Sequence, residues 1–284
     1  MDNSDFKGKN ILIVGLGLMG CSFADAFRDL YPQKIYGFDI NKEITNYAQQ
    51  KGLIDEGLTK INSAILGECD FVMICLYLDD AVQFICKNMD GFKKGCIITD
   101  IVGVKRKIVS SVQEVLRDDI DYIPGHPMAG KERQGFGYAD KKIFKGKNYI
   151  LTPTKFNKSD NVDYLEKIIK AIGFENVVYT DPEKHDEKIA FTSQLCHVIA
   201  SSMVDINVDD DISNYEGGSF QDMTRIAMIN SKMWSELFIA NKDKLVNVLD
   251  NFLTSIESFK MLIEKEDPKL IDKLDIIKKS RESL

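Results

Sequence analysis

Three glycines directly after a short apolar segment constrain the fold of this chain more than any other feature. Residues 11–14 are apolar and mostly β-branched, which predicts a buried strand. Gly15, Gly17 and Gly20 follow with G-x-G-x-x-G spacing, which is typical of a turn from a strand into a dinucleotide-binding helix. Gly15 permits the tight turn, Gly17 lets backbone N–H groups approach a pyrophosphate, and Gly20 lets the helix pack closely on the sheet.

A carboxylate after the second strand indicates which cofactor binds. Residues 34–38 predict a strand, and Asp39 follows them about 20 residues beyond the last glycine, where a carboxylate binds the ribose 2′-hydroxyl of NAD and repels the 2′-phosphate of NADP. The alternative is a coincidental strand-turn-helix with Asp39 a solvated residue. We predict NAD as the cofactor. The predicted cofactor-binding residues are Gly15, Gly17, Leu18, Met19, Gly20, Asp39, Leu76 and Gly103.

The alternation of strand and helix patterns predicts an α/β fold with a doubly wound, mostly parallel Rossmann-type sheet. Residues 70–76 and 96–100 are typical of strands, and a helix capped by Asn41 is expected to run to about Gln50. No hairpin signal separates these segments, which favours parallel pairing. Ligands of such sheets bind beyond the carboxyl ends of the strands, so we expect the residues after Leu76, Asp100 and Pro124 to face the cofactor.

Glycine and proline usage divides the chain into two domains. Seventeen of the 19 glycines lie at or before residue 173, and five of the six prolines lie at or before residue 182. Residues 183–208 contain neither and show helical apolar spacing, which predicts one long helix. We therefore predict a dinucleotide-binding domain over residues 1–181 and an all-helical domain over residues 182–284. The charged segment after residue 242 carries no predicted site.

Composition excludes several classes of protein. The net charge of −7 and the isoelectric point of about 5.2 argue against a nucleic-acid partner. We expect no signal peptide from the acidic start and no membrane span, since no apolar run is long enough. The six cysteines form no C-x-x-C pair, which predicts free thiols in a reducing cytoplasm and no metal site.

A histidine near the end of the predicted strand at residues 122–124 is the candidate catalytic base. His126 stands between Gly125 and Pro127, which predicts a rigid turn at the cofactor crevice. Its unperturbed pKa of about 6.5 leaves an imidazole largely neutral at pH 7 and suited to accept a proton. The alternative is a structural histidine bonded to the backbone. We predict the catalytic role from its position in the sheet.

The segment around His126 resembles a known family signature. Gly125-His-Pro-Met-Ala-Gly130, followed by Glu132 and Gly135, resembles the signature of the prephenate and arogenate dehydrogenases of tyrosine biosynthesis. The resemblance implies that His126 hydrogen-bonds the ring hydroxyl of prephenate while NAD takes a hydride from the same carbon. It also implies that Glu132 contacts the substrate, and that the helical domains pair into a homodimer.

Two later motifs extend this resemblance. Ser193-Gln-Leu-Cys-His197 resembles the family's second histidine motif and implies that His197 binds substrate. The segment 217–227 resembles its substrate-carboxylate motif, with Trp234 and Asn241 at the familiar offsets. Arg225 in that segment is a permanent, bidentate partner for a carboxylate, and we expect it to be the buried cation that a diacid requires. The alternative for Arg225 is a salt bridge within the chain, most simply to Asp222.

The chain departs from the family pattern beside the catalytic histidine. The family often has a serine where Gly103 stands in the segment Asp100-Ile-Val-Gly-Val-Lys105. The resemblance therefore implies that the hydroxyl that would orient His126 is missing, and we expect water or a backbone group to replace it. His185, which precedes Asp186 near a helix start, is expected to be a structural or surface residue.

Three other functions are compatible with parts of the pattern. Arogenate dehydrogenase differs only in the substrate's amino group. A β-hydroxyacid dehydrogenase would share the nucleotide domain, but the lysine that family uses is absent from residues 191–202. A non-catalytic NAD-binding sensor would be favoured if His126 or Arg225 were missing, and both are present.

Overall fold

The computed structural model describes residues 6–130, 135–207 and 211–283, which form an eight-stranded sheet covered by helices and a following set of helices. The strands are β1 (Asn10–Val14), β2 (Lys34–Phe38), β3 (Glu56–Leu58), β4 (Phe71–Ile74), β5 (Ile97–Asp100), β6 (Asp121–Pro127), β7 (Asn148–Leu151) and β8 (Asn176–Tyr179). The helices are α1 (Leu18–Arg28), α2 (Lys42–Gln50), α3 (Ser63–Leu66), α4 (Leu78–Asn88), α5 (Arg106–Gln113), α6 (Ser159–Ala171), α7 (Pro182–Ile189), α8 (Leu195–Asp205), α9 (Gly218–Thr224), α10 (Ser231–Ala240), α11 (Lys242–Glu264) and α12 (Lys269–Glu282).

The sheet has the strand order β3-β2-β1-β4-β5-β6-β7-β8. Strands β1 to β6 are parallel and have the order 3-2-1-4-5-6 of dinucleotide-binding sheets. This confirms the predicted mostly parallel sheet and the helical segment after it. The sequence patterns did not predict that β7 pairs antiparallel with β6. Only short 3₁₀ turns are described between these two strands, so no helical crossover returns the chain to a parallel register.

The core lies on both faces of the sheet. Ile11 and Ile13 of β1 pack on one face, with the aromatic side chains of α1, while Leu12 and Val14 pack on the other, with α4 and α5. Because successive side chains of a strand point to opposite faces, this burial explains why residues 11–14 of β1 are all apolar. Asn41 caps α2 by accepting a hydrogen bond from the Glu43 N–H, as predicted.

Two of the motif glycines are required by close backbone contacts. Gly15 has a φ of +89°, and a Cβ there would lie 2.5 Å from the Cys75 carbonyl oxygen. A Cβ on Gly20 would lie 1.8 Å from the Gly15 carbonyl oxygen. The first glycine therefore permits the turn after β1, and the third lets α1 pack against that turn, as the motif predicts.

The predicted helix over residues 183–208 is present but is not uniform. Helix α7 continues through a π-helical segment, Ala190–Gln194, into α8, which ends at Asp205. Residue 208 lies outside the described residues. A π-helical turn adds a residue to the local repeat and changes the direction of the side chains that follow, and such turns are frequent at functional sites.

The helical domain leaves many apolar side chains uncovered. The exposed large apolar residues of α11 and α12 are Val246, Leu253, Ile256, Met261, Ile263, Ile271, Leu274, Ile276 and Ile277. Exposed apolar side chains in this number on two successive helices are typical of an interaction face. None of the helices in the described part of the chain has the length and apolarity needed to cross a bilayer.

We predict that Gly20→Ala destabilises the fold, whereas Gly137→Ala does not. The added methyl group at residue 20 would overlap a backbone carbonyl, so α1 must shift, at a cost of about 1–3 kcal/mol. Within the part of the chain that the structure describes, no atom lies within 4 Å of a Cβ built on Gly137. Urea unfolding of both variants gives the comparison, and equal unfolding midpoints for the two would contradict the packing argument.

Candidate active site

The beginning of α1 is open toward solvent at the motif's second glycine. Gly17 is the N-cap residue, and no atom of the described residues lies within 4 Å of a Cβ built on it, in contrast to Gly15 and Gly20. No side chain caps α1, and its first turn carries no acidic residue. The unpaired N–H groups at this helix end are available to an anion, so the site fits a pyrophosphate. Leu18 and Met19 form the first turn of the helix.

Asp39 is held beside this turn by backbone hydrogen bonds. Its Oδ2 accepts from the Leu16 N–H at 2.9 Å, and its Oδ1 accepts from the Asn41 N–H at 2.9 Å. The carboxylate is half-buried at the end of β2. Each oxygen keeps a second lone pair, so the group can accept hydrogen bonds from ribose hydroxyls.

The carboxyl ends of the central strands bring the remaining predicted residues to the same edge of the sheet. Leu76 follows β4 and Gly103 follows β5, and both are half-buried. A Cβ on Gly103 would lie 3.9 Å from His126 Cε1 and 3.3 Å from Leu237 Cδ1. Gly103 therefore lies where the nucleotide domain, the histidine and α10 meet.

His126 lies within strand β6 and not on a turn. The prediction of a turn is wrong because β7 pairs antiparallel with the end of β6, with His126 opposite Ile150, and thereby extends the strand to Pro127. A Cβ on Gly125 would lie 2.5 Å from the Tyr149 hydroxyl oxygen, so a side chain at that position would disturb the strand pair. A histidine in a paired strand is held more rigidly than one on a loop.

His126 is hydrogen-bonded to a second histidine. Its Nδ1 lies 2.9 Å from Nε2 of His185 on α7, and Nδ1 of His185 lies 2.7 Å from Oδ1 of Asp186. His185 and Asp186 are both 1% exposed or less. Of the two alternatives expected for His185, a structural or a surface residue, the second is therefore wrong. The expectation that water or a backbone group orients His126 is also wrong, because His126 Nδ1 is hydrogen-bonded to the imidazole of His185.

The hydrogen bonds determine which nitrogen of each ring carries the proton. Asp186 is an acceptor when ionised, so His185 donates its Nδ1–H to it and has a lone pair on Nε2. His126 then donates its Nδ1–H to that lone pair. The remaining nitrogen of His126, Nε2, is unprotonated and can act as a base.

Burial keeps His126 neutral. It lowers the pKa of His126 well below 6.5, and the neighbouring His185 and the Lys105 ammonium lower it further. Burial also lowers the pKa of His185, although the hydrogen bond to Asp186 opposes this effect. The His126 imidazole is therefore available as a base throughout the neutral range.

A second buried carboxylate, that of Asp100 at the end of β5, is hydrogen-bonded to β6, the strand that carries His126. Asp100 Oδ2 accepts from the Lys105 ammonium at 2.5 Å, and Asp100 Oδ1 accepts from the Tyr122 hydroxyl at 2.8 Å. Asp100 and Lys105 are both fully buried. Burial lowers the pKa of Lys105, and the Asp100 carboxylate opposes this effect.

His197 stacks on the indole ring of Trp234. The ring centroids are 3.7 Å apart, and His197 Nδ1 lies 3.0 Å from the carbonyl oxygen of Ser193. The carbonyl can only accept, so His197 donates from Nδ1 and leaves Nε2 as an acceptor. Trp234 and Leu237 lie one helical turn apart on α10. Trp234 contacts His197, and Leu237 lies beside Gly103, which is next to His126. His126 and His197 are therefore both near α10.

Arg225 is placed differently from the expectation. It begins a 3₁₀ turn, Arg225–Ala227, that packs on α8, and its side chain is exposed in the single chain. The expected buried cation is therefore not found at this position, because the turn packs on α8 with the Arg225 side chain exposed. Glu132 lies outside the described residues. The substrate-binding roles of both residues stay predictions.

The functional residues that sequence reasoning missed are those that fasten the two domains together. Asp186 accepts hydrogen bonds from the backbone N–H groups of Lys105 and Arg106, at 2.7 and 2.9 Å, where α5 begins. Asn241, fully buried, donates to the Asp186 carbonyl and accepts from the Arg106 guanidinium. The adjacent His-Asp pair at residues 185–186 and the family offset of Asn241 were the available signals, and only the fold gives these residues their partners.

The chain was compared with protein families, curated proteins and solved structures. The family model for the prephenate dehydrogenase nucleotide-binding domain matches residues 23–178, and that for the prephenate dehydrogenase dimerization domain matches residues 181–275. Prephenate dehydrogenase of Bacillus subtilis is 30% identical over 264 residues, which cover 90% of this chain and 71% of that protein. Cyclohexadienyl dehydrogenase of Zymomonas mobilis is 29% identical, with 91% of this chain and 90% of that protein covered.

A solved structure agrees with these matches. Prephenate dehydrogenase from Aquifex aeolicus, crystallised with hydroxyphenyl propionate and NAD⁺, superposes with a TM-score of 0.88 and 33% identity, covering 97% of this chain and 98% of that chain. The glycine turn that fits a dinucleotide, the hydrogen-bonded histidine pair and the two family matches lead to one conclusion: this chain belongs to the prephenate dehydrogenase family.

Proposed function

We propose that this chain catalyses the NAD-dependent oxidative decarboxylation of prephenate to 4-hydroxyphenylpyruvate in tyrosine biosynthesis. The observation that carries the proposal is the hydrogen bond from His126 Nδ1 to His185, which leaves His126 Nε2 as the base, at the same sheet edge as the open glycine turn at Gly17. The Aquifex aeolicus relative was crystallised with NAD⁺ and a hydroxyphenyl acid, which supports the assignment of cofactor and substrate class.

The residues present perform the following chemistry. His126 Nε2 accepts the proton of the substrate's ring hydroxyl, and the same carbon loses a hydride, for which NAD is the acceptor when bound. The new ring carbonyl then draws electrons through the ring as the carboxylate group leaves as carbon dioxide, and aromatisation drives this step. The resulting phenolate oxygen takes back the proton from His126 Nε2, which gives the phenol of the product and restores the base. One positioned base contributes about 10²- to 10⁴-fold to such a rate.

The helical domain supplies the proposed substrate contacts. His197 lies on α8, and Arg225 begins the 3₁₀ turn that packs on that helix. We assign the substrate carboxylate to Arg225 and a polar contact to His197, with Glu132 as a further contact. The exposed apolar side chains of α11 and α12 and the match to a dimerization domain support a homodimer. Pairing through this face would bury surface that the single chain leaves open.

Two further parts of the proposal concern the chain as a whole. We propose that the nucleotide domain ends at residue 181, where Pro182 begins α7. The six cysteines are free thiols, which supports a location in a reducing cytoplasm.

The second candidate substrate is arogenate. The neutral Nε2 of His197 is an acceptor, and an ammonium group is a donor that it could bind. The Zymomonas mobilis relative, named a cyclohexadienyl dehydrogenase, supports keeping both substrates in the test. A non-catalytic NAD sensor is the third possibility.

The direct test measures reduced cofactor formed from prephenate and from arogenate, each with NAD and with NADP. We predict turnover of prephenate with NAD, and a loss of about 10²- to 10⁴-fold in kcat for His126→Asn. The affinity of this variant for NAD serves as the control for folding. NAD binding without turnover of either acid would favour the sensor, and a near-normal rate for His126→Asn would remove His126 from the reaction.

We predict that kcat/KM for prephenate stays level as the pH falls from neutral through 6.5 and declines only at lower pH. The base form of His126 dominates above its pKa, and burial has moved that pKa well below 6.5. A pH profile of kcat/KM gives the measurement. A half-maximal value near pH 6.5 would show that His126 titrates as a solvated histidine.

We predict that Gly17→Ala weakens NAD binding by about 10-fold or more without changing stability. The methyl group meets no protein atom within 4 Å, so the fold tolerates it, but it would occupy the space that the pyrophosphate needs. Calorimetric titration with NAD and urea unfolding separate the two effects. Unchanged affinity would place the pyrophosphate elsewhere.

A further inference from the structure

We propose that His185 and Asp186 form a proton relay with His126, in which His185 positions the catalytic imidazole and then receives its proton. The chain of groups runs from the substrate side through His126 Nε2 and Nδ1 to His185 Nε2 and Nδ1, and ends on the carboxylate of Asp186. This inference rests on the proposed function only for the origin of the proton, which is the substrate hydroxyl.

The positioning step follows from the geometry of the pair. The two rings are inclined by 59° with centroids 5.1 Å apart, and the 2.9 Å nitrogen separation is that of a hydrogen bond. His185 cannot turn freely, because it is buried and its other nitrogen is bonded to Asp186. A fixed acceptor at Nε2 of His185 therefore selects the tautomer of His126 in which the substrate-facing nitrogen is the base.

The transfer step balances in atoms and charge. The hydroxyl proton of the substrate binds His126 Nε2, and the proton on His126 Nδ1 passes to His185 Nε2. His126 is neutral again, with its proton now on Nε2, and His185 is an imidazolium whose Nδ1–H remains bonded to Asp186. No proton is created or lost, and the positive charge ends next to the buried carboxylate.

The surrounding charges favour His185 as the place where the proton rests. Asp186 contacts His185 directly and does not contact His126. The Lys105 ammonium, which opposes a positive charge on either ring, is paired with Asp100 at 2.5 Å. Arg106, on the far side of Asp186, is paired with Glu183 and Asp243 as well. Asp186 therefore has a charge available to stabilise an imidazolium on His185.

Nuclear magnetic resonance of the full chain tests the positioning step without any substrate. The chain has three histidines, so selective ¹⁵N-histidine labelling gives three imidazole spin systems, and His197→Gln removes one of them for assignment. We expect a scalar coupling across an N–H···N bond between His126 Nδ1 and His185 Nε2, and an unprotonated Nε2 on His126. His197→Gln should retain the coupling, and His185→Gln should abolish it. Absence of the coupling in the unsubstituted chain, or a protonated Nε2 on His126, would overturn the proposal.

Kinetics of His185→Gln tests the transfer step. The glutamine carbonyl can still accept the Nδ1–H of His126 but cannot take up a proton, so we expect kcat for prephenate to fall about 100-fold, with KM and NAD affinity nearly unchanged. The double variant His126→Asn/His185→Gln should be no slower than His126→Asn, because the two groups act as one unit. A normal kcat for His185→Gln, or additive losses in the double variant, would overturn the relay.

The two measurements separate this inference from the proposed function. If the coupling is present but neither prephenate nor arogenate is turned over, the histidine pair is correct and the assigned reaction is wrong. If prephenate is turned over and the coupling is absent, the reaction is correct and the relay is wrong. The spectroscopic test uses the unsubstituted chain, so it decides the outcome even if His185→Gln does not fold.

Discussion

The arrangement of the whole site depends on one buried carboxylate, that of Asp186. A charge removed from water is stable only when hydrogen-bond donors replace the solvent, and Asp186 has three kinds of donor around it. The first is the pair of backbone N–H groups of Lys105 and Arg106, the second is the Arg106 guanidinium, and the third is the imidazole of His185. The Asp186 carboxylate therefore binds the helical domain to the start of α5, and it also determines which nitrogens of the histidine pair carry protons.

A second buried carboxylate, Asp100, balances the local charge. The Lys105 ammonium is bound to Asp100, while the Lys105 backbone N–H is bound to Asp186. One residue thus contacts both carboxylates, so a shift of the loop after β5 would disturb the sheet edge and the domain junction together. Truncating one partner of a buried ion pair of this kind is strongly destabilising, because the other charge is left uncompensated.

The reversed strand β7 contributes to the site by holding His126. Pairing with Ile150 keeps the histidine in an extended backbone, and the turn predicted from Gly125 and Pro127 does not form. The predicted nucleotide-binding end of the site lies on a loop and the beginning of α1, where the space beside Gly17 is open. The proposed base is therefore held in a paired strand, whereas the cofactor is expected to bind at an open turn of the backbone.

The sequence by itself determined the nucleotide half of this protein. The turn at Gly15, the helix packing at Gly20, the cap at Asn41 and the acidic residue at Asp39 depend on local backbone geometry, so residue type and spacing were sufficient to predict them. The family resemblance likewise rested on short motifs that can be read along the chain.

Tertiary structure alone decided the partner of the catalytic base. His126 and His185 are 59 residues apart, and their contact exists only because Asp186 binds α7 to the backbone at the start of α5, which places His185 beside His126. The exposure of Arg225 is also a result of packing, since it depends on which elements cover its turn. The physical reason is that local patterns specify backbone conformation, whereas a hydrogen bond between distant side chains depends on the sum of all the packing between them.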